Sequence, residues 1–359
     1  MTFKKILLPV TLLISVAFFS VCLIPYVSSA HSWPIGMLGF GFPFLIIFQL
    51  CCLFFWAFQK SKWAFLPLFC LFIGWQQISV VFSFHFSSKN AITSPKKGIR
   101  IMSWNVSRWD ERNKEKRGGA SYRQLMFDLI EFQNIDILCL QEFFECYAPE
   151  YFEENIPVLE KMGFRYHYFY PSSLVFDDKF QYGIAIFSRF PIVGKGAIND
   201  LPGTHSEGLI YTDLDINQKK VRVYNTHLES PGIREDDFSQ QTIIKPSRSL
   251  FSKLKNSQAL RNNQATIVKK EMLKSPYPSI LCANLGTVPN SFAYFETRGN
   301  MKDAFLIKGS GLGRTIRFIS PTLRTDYIFL DKSFEVDRYT RLIVPYSDHY
   351  PIFSDFVIQ

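Results

Sequence analysis

The chain has 359 residues, longer than one average domain, and a formal net charge of +9 from 40 Lys and Arg against 31 Asp and Glu. Its first 85 residues hold Lys4, Lys5, Lys60 and Lys62 and no acidic residue, which leaves the rest only mildly basic. That surplus suits a phosphate-bearing substrate or an anionic membrane, and is too weak to argue for nucleic acid by itself. Seven cysteines without a CxxC pair indicate neither a zinc site nor a disulfide framework.

Three long apolar segments come first, at residues 6–27, 35–58 and 63–84. Each approaches or exceeds the roughly 20 residues that cross about 30 Å of hydrocarbon as a helix. Pro9, Pro43 and Pro67 fall in early turns, and Trp33, Trp56 and Trp63 fall near segment ends, where interfacial anchors sit. Three transmembrane helices are therefore expected. A cleaved signal peptide is the alternative for the first, since Ser28-Ser29-Ala30 is a small-residue site. Lys4 and Lys5 precede the first span, and Lys60 and Lys62 lie between the second and third. The positive-inside rule then puts the N-terminus in the cytoplasm and, after three crossings, the large domain outside it. Lys89, Lys96, Lys97 and Arg100 pull weakly the other way.

Residues 87–97 read as a polar linker, and the globular domain as 98–359. Strand patterns follow at 100–106, 135–140, 183–187, 209–216, 221–226, 279–282, 326–330 and 352–358. Residues 122–132 place Leu125, Leu129 and Phe132 at helical spacing, and 247–274 form a long helix candidate with Leu260, Ile267 and Met272. Tyr166, Tyr168 and Tyr170 alternate beside Arg165 and His167, as on a half-buried strand. Short strands with a few helices suggest an α+β sandwich of two packed sheets with helices outside.

Several polar residues stand where strands end: Asn105, Glu142 and His227 after their runs, Asp348 and His349 before theirs. One sandwich edge would gather them in a cleft. Carboxylates, an amide and imidazoles without a cysteine cluster fit hard-cation chemistry on phosphate.

Their order resembles the endonuclease/exonuclease/phosphatase superfamily. The pieces are Met102-Ser103-Trp104-Asn105-Val106, Leu140-Gln141-Glu142, Tyr182-Gly183-Ile184-Ala185-Ile186-Phe187-Ser188-Arg189, Asn225-Thr226-His227-Leu228, Thr325-Asp326-Tyr327-Ile328 and Ser347-Asp348-His349. The resemblance implies a four-layer α/β sandwich and a membrane-anchored phosphoesterase of bacterial type, in the inner membrane. It implies Glu142 as principal Mg²⁺ (or Mn²⁺) ligand, with Asn105 and Asp348 completing the metal site. It implies His349 on the scissile phosphate with Asp326 orienting it, and His227 near the phosphate and leaving group. A phosphate ester, nucleic acid or lipid headgroup is the implied partner beside the membrane, and nothing implies a protein partner.

One motif departs from the family. Where relatives read Gly-Asp-Phe-Asn, this chain reads Ala283-Asn284-Leu285-Gly286, with Pro289 and Ser291 fixing the register. The lost Asp would activate water and the lost Asn would donate to phosphate. An amide is no base near neutral pH, and glycine has no side-chain donor. Two readings follow: a hydrolase with impaired activity, or a pseudoenzyme that binds a phosphate ligand or acts as a scaffold. A substitute carboxylate such as Asp303 is a third.

Overall fold

Period-two alternation decides which layer each side chain enters. The computed structural model describes residues 2–27, 33–85, 96, 98–199, 201–203, 207–230, 248–318, 320 and 322–358. The strands are β1 (Ser83–Phe84), β2 (Ile99–Asn105), β3 (Ile137–Cys146), β4 (Tyr166–Val175), β5 (Phe180–Ser188), β6 (Ile192–Ile198) and β7 (Gly208–Ile216). They continue with β8 (Lys219–His227), β9 (Ser279–Asn284), β10 (Lys302–Asp303), β11 (Ser310–Gly311), β12 (Asp326–Leu330), β13 (Phe334–Arg341) and β14 (Ile352–Ile358). One sheet runs β13-β14-β2-β3-β5-β4 and the other β10-β12-β9-β8-β7-β6. Ile101, Ile137, Cys139, Ile184 and Ile186 of the first meet Val223, Ile280, Cys282 and Ile328 of the second in one buried layer. This is the expected sandwich. The tyrosine alternation at 166–170 is β4, at the edge of the first sheet.

Each sheet is antiparallel except for one central parallel pair, β2 with β3 and β8 with β9. A parallel pair needs a crossover, and each crossover here carries a helix, Arg123–Phe132 and Arg248–Met272. The apolar stripes anticipated on these helices are only part of their packing faces: Leu129 and Met272 pack against the buried clusters. Leu125 and Phe132 are exposed, whereas Met126, Phe127 and Ile130 are buried. On the long helix Leu260, Ile267 and Met272 are half-buried, and Arg261, Gln264, Ala265 and Val268 face inward. The reason is competition between two stripes: the buried one is chosen by the sheet it meets, and Arg261 and Gln264 enter it because they find acceptors there.

Among the described residues one helix, Lys4–Tyr26, is by itself long and apolar enough to span a membrane; the other two anticipated spans are broken. Trp33–Phe40 and Phe42–Phe58 meet at 74°, and Lys62–Ile73 and Trp75–Val81 at 62°. Pro43 has no N–H to continue the preceding helix and instead opens a new one after Gly41. Gly74 is needed where the Phe18 ring approaches within 2.5 Å of the position a Cβ would take. Buried polar side chains in this layer donate within it: Trp56 Nε1 to Thr11 Oγ1 at 3.0 Å, Gln49 Nε2 to Ser15 Oγ at 3.2 Å and Gln77 Nε2 to the Cys22 carbonyl at 2.9 Å. Phe44, Phe48, Phe54, Phe58, Phe69 and Phe72 point outward.

The anticipated linker lies outside the described residues except for Lys96, which pairs with Asp136 at 2.7 Å. On both sides of it the two regions are joined. Phe18, Val21, Ile24, Phe42, Val80 and Val81 share one apolar cluster with Leu209, Leu281, Ala283, Tyr294 and Phe329 on the outer face of the second sheet. β1 pairs with β11. Arg324, fully buried, donates to Asp303 Oδ2 at 2.7 Å and to Val80 O at 2.8 Å, with its guanidinium 4.3 Å from the Phe305 ring centroid.

Removing one partner of a buried ion pair costs about 3–5 kcal/mol. Arg324→Ala should destabilise the full chain by about that amount in denaturant unfolding, because Asp303 is left buried without its cation. A loss below about 1 kcal/mol, the range of an exposed pair, would show that the tie carries little.

Candidate active site

The carboxyl ends of the two parallel pairs lie at the same edge of the sandwich. Asn105 closes β2 opposite Gln141 of β3, and His227 closes β8 opposite Asn284 of β9. Antiparallel neighbours bring their beginnings to that edge. Asp326, the first residue of β12, is opposite Asn284, and Asp348 and His349 lead into β14, which runs antiparallel to β2. Asn105, His227, Asn284 and Asp326 share the inward side of their strands with the core residues below them. Asn105, His227, Asn284, Asp326, Asp348 and His349, separated by up to 244 residues, thus come to one edge through the direction of their strands.

Two imidazoles are each held by a carboxylate. His349 Nδ1 is 2.8 Å from Asp326 Oδ2, and His227 Nδ1 is 2.9 Å from Glu207 Oε2. Burial by itself would depress His349, but Asp326, with Asp348 and Glu142 nearby, raises it to about 9. Burial opposes ionisation of Asp326 too, and the His349 cation outweighs it, so the carboxyl is lowered. Burial lifts the Glu207 carboxyl and would lower His227, whereas their hydrogen bond favours the ionised pair. His227 ends above its ordinary value.

Glu142 owes its position to a bulge. The β3–β5 register slips between Leu140 and Phe143, and Glu142 takes a left-handed backbone with φ 47°. Its N–H donates to Glu207 Oε2 at 2.7 Å, which stabilises the turn. Its Oε1 accepts from Asn105 Nδ2 at 3.1 Å. Burial raises the Glu142 carboxyl, but His227, Asn105, His349 and Arg108 more than offset this, so it is held below the usual carboxylate range. Asp348 is raised, by burial first and by Glu142 beside it.

Among the described residues no group of three or more His, Cys, Asp or Glu has the arrangement of a metal cage. An ionised Glu142 and Asp348, close enough to feel each other's charge, supply carboxylate oxygens of the kind that suits Mg²⁺, which keeps several waters and needs few protein ligands, while Asn105 gives its Nδ2 to Glu142 and accepts the Ser107 N–H at Oδ1. The residues present fit a hard cation in that sense.

The altered motif lies at the centre. Asn284 Oδ1 accepts the Gly286 N–H at 3.1 Å, and Asn284 is buried between His227 and Asp326. Gly286 has φ +59°, a conformation asparagine tolerates better than most residues. A Cβ there would lie 3.4 Å from Glu229 O and 3.6 Å from Arg261 Cδ and Nη1, ordinary contact distances. Asp303 does not replace the missing carboxylate. Its Oδ1 caps the Ala304–Lys308 helix and its Oδ2 takes Arg324 and the Tyr294 hydroxyl, so both oxygens are used away from the cleft.

Glu207 was not legible in the sequence. It precedes Gly208, which pairs with His227, and only that register reveals it. Arg108 was missed too: it stands in a run of left-handed residues from Ser107 to Asp110, over the Tyr182 ring at 4.4 Å.

The sequence model of the Endonuclease/Exonuclease/phosphatase family matches residues 102–349, and a domain of unknown function matches residues 4–81. No curated protein matches the sequence. Similar solved structures include the human Nocturnin catalytic domain with bound sulfate anion, at 22% identity and TM-score 0.52 over 73% of this chain and 93% of that one. An endonuclease/exonuclease/phosphatase from Beutenbergia cavernae is 19% identical, TM-score 0.53, over 72% and 71%. TDP2 of D. rerio complexed with a single-strand DNA product is 18% identical, TM-score 0.50, over 72% and 98%. At these identities the likeness is one of fold.

The His349–Asp326 pair sets a pH dependence. A histidine raised on folding contributes stability that is complete below its unfolded value, near 6.5, and is lost as pH rises through about 9. With divalent cations chelated, wild type should exceed His349→Gln in melting temperature most below pH 6.5, and the gap should close between about 6.5 and 9. A gap that widens with rising pH would contradict this sign.

Proposed function

Since the chain belongs to the endonuclease/exonuclease/phosphatase family, we propose that it is a membrane-anchored hydrolase of phosphate esters, slowed by Asn284 and Gly286. The observation that carries the reading is the pair of carboxylate-held imidazoles, His349 with Asp326 and His227 with Glu207, on either side of Asn284.

Hydrolysis builds negative charge on the non-bridging phosphate oxygens. A preorganised imidazolium offers a charge-assisted hydrogen bond to that charge, and His349 is kept protonated for it near neutral pH. His227, oriented through Nδ1 by Glu207, presents its other nitrogen towards the leaving group. Mg²⁺ or Mn²⁺, held by Glu142 with Asn105 and Asp348, would neutralise phosphate charge as a Lewis acid. Asn284 can orient a water through its amide but cannot take its proton. That same substitution favours a second reading, a domain that binds a phosphate ligand without turnover.

The anchor rests on the Lys4–Tyr26 helix, with the two bent pairs as further spans or re-entrant loops. One crossing and three crossings both leave the domain on the side opposite the N-terminus. With Lys4 and Lys5 cytoplasmic, that side is extracytoplasmic in a bacterial inner membrane.

A ligand that binds only the folded state stabilises it by mass action. Mg²⁺ or Mn²⁺ should raise the melting temperature of wild type and have much less effect on Glu142→Gln. Equal shifts in the two proteins would remove Glu142 from the metal site.

General-base assistance supplies about 10²–10⁴-fold, and one preorganised donor about 10²–10³-fold. Asn284→Asp with Gly286→Asn should therefore raise hydrolysis of bis-p-nitrophenyl phosphate by the full chain at least about 10²-fold. A native chain already as fast as intact relatives would refute the impairment. A folded, metal-binding double variant that stays inert would favour the binding-module reading.

A further inference from the structure

Gly286 leaves a gap at the carboxyl end of the β8–β9 pair, and an arginine borders it. The nearest neighbours of a Cβ on Gly286 would be Glu229 O at 3.4 Å and Arg261 Cδ and Nη1 at 3.6 Å. Glu229 is two residues beyond His227 and Gly286 two beyond Asn284, and His227 and Asn284 are opposite each other in the sheet. The Arg261 guanidinium therefore stands just past the His227–Asn284 edge. The Arg248–Met272 helix brings it there, turning Arg261 inward with Gln264, Ala265 and Val268. Gln264 fixes that turn of helix: its Oε1 accepts the Glu229 N–H at 2.8 Å and its Nε2 donates to Pro202 O at 2.6 Å.

Arg261 lacks what the other buried arginines have. Arg100 bonds Asp355 at 2.6 Å, Arg123 bonds Glu153 at 2.6 Å and Arg324 bonds Asp303 at 2.7 Å. Arg261 bonds a neutral group, the Glu229 carbonyl, through Nη1 at 3.0 Å, and its Nε has no partner among the described residues. Burial lowers Arg261 to about 10, with the nearby Glu229 carboxylate working against that, so it is still a cation at neutral pH. A buried cation without a bonded counter-ion is costly, and such groups cluster where a ligand completes the site. Arg261 is no more enclosed than the cleft itself: it and Asn105 are both 1% exposed.

We propose that Arg261 is a phosphate-binding residue whose guanidinium meets a non-bridging oxygen of the ester across the gap that Gly286 leaves. This assignment rests on the phosphoester reading of the cleft and deepens it. A guanidinium presents several N–H donors in a rigid fork, and the Glu229 carbonyl already orients it through Nη1. Its bond to a phosphate oxygen is charge-assisted, and so stronger than one from the neutral amide that asparagine would supply at position 286. The loss at Gly286 is then compensated, whereas the loss of a base at Asn284 is not.

The test is binding of inorganic phosphate to the full chain in nonionic detergent with Mg²⁺, read by calorimetry, which requires no turnover. Arg261→Gln is expected to weaken phosphate at least about tenfold, the low end of what a hydrogen bond to a charged group contributes. Arg261→Lys keeps the charge but loses the fork, and is expected to weaken it less. Gly286→Asp and Gly286→Asn leave Arg261 in place and read the same point should Arg261→Gln fail to fold. The aspartate would serve the guanidinium as a counter-ion. Without phosphate, Gly286→Asp is therefore expected to melt above Gly286→Asn, and to bind phosphate at least about tenfold less tightly than that variant. A folded Arg261→Gln with wild-type affinity, beside a His349→Gln that loses phosphate, would overturn the arginine assignment and leave the phosphoester reading standing. Gly286→Asp melting below Gly286→Asn would do the same, since Arg261 would then not be short of a counter-ion. Phosphate binding that is absent from wild type, or unchanged in both Arg261→Gln and His349→Gln, would remove the phosphoester reading and this assignment with it.

Discussion

A polar seam between two apolar sheets governs the site. Gln141 Nε2 donates to Asn225 Oδ1 at 2.7 Å and to Ser103 Oγ at 3.1 Å, and Asn225 Nδ2 donates to Leu140 O and Ala185 O. All of these side chains are buried. Leucine and isoleucine would fill the same volume without the cost of burying amides, and Gln141 Oε1 has no partner among the described residues. The seam instead restricts how one sheet slides on the other. Gln141 is next to Glu142, and Asn225 is two residues from His227, so fixing the amides fixes the distance between the carboxylate end of one sheet and the imidazole end of the other. Without that register neither Glu207 with the Glu142 N–H nor Asp326 with His349 would close.

Above the seam the electrostatics form one coupled system. Glu207 accepts from both the Glu142 backbone and His227, and His349 is influenced by Asp326, Asp348 and Glu142 together. Such a cluster of buried charges persists only when opposite signs alternate. The missing acid at Asn284 fits that balance: an additional carboxylate between His227 and Asp326 would add a negative charge to a site already rich in them. The amide keeps the turn, through its bond to the Gly286 N–H, while it gives up proton transfer.

The N-terminal layer shows the opposite economy of polarity. Thr11, Ser15, Gln49 and Gln77 are buried and bonded within it, while several phenylalanines face out. It joins the domain through apolar packing and through Arg324, whose neighbours Thr325 and Asp326 belong to the site. The N-terminal layer and the site are connected by that short stretch of chain.

The sequence by itself determined the strand-rich sandwich and the apolar N-terminus, because strand alternation and hydropathy are local signals, and the order of its short motifs named Asn105, Glu142, His227, Asn284, Gly286, Asp326, Asp348 and His349 as candidates through a family resemblance. It could not choose between competing helical stripes: Leu125, Leu129 and Phe132 have the spacing, yet Leu125 and Phe132 are exposed, and Met126, Phe127 and Ile130 join Leu129 against the sheet. It showed three apolar runs of spanning length and could not show that two of them turn sharply at Gly41 and Gly74, since a bend depends on what packs inside it, as Phe18 does at Gly74. Glu207 became a site residue only through the register of β7 against β8, and Asp303 ceased to be a candidate only when Arg324 was found to occupy it. In each case the deciding contact joins residues distant in the chain, and hydrophobic periodicity carries no information about that.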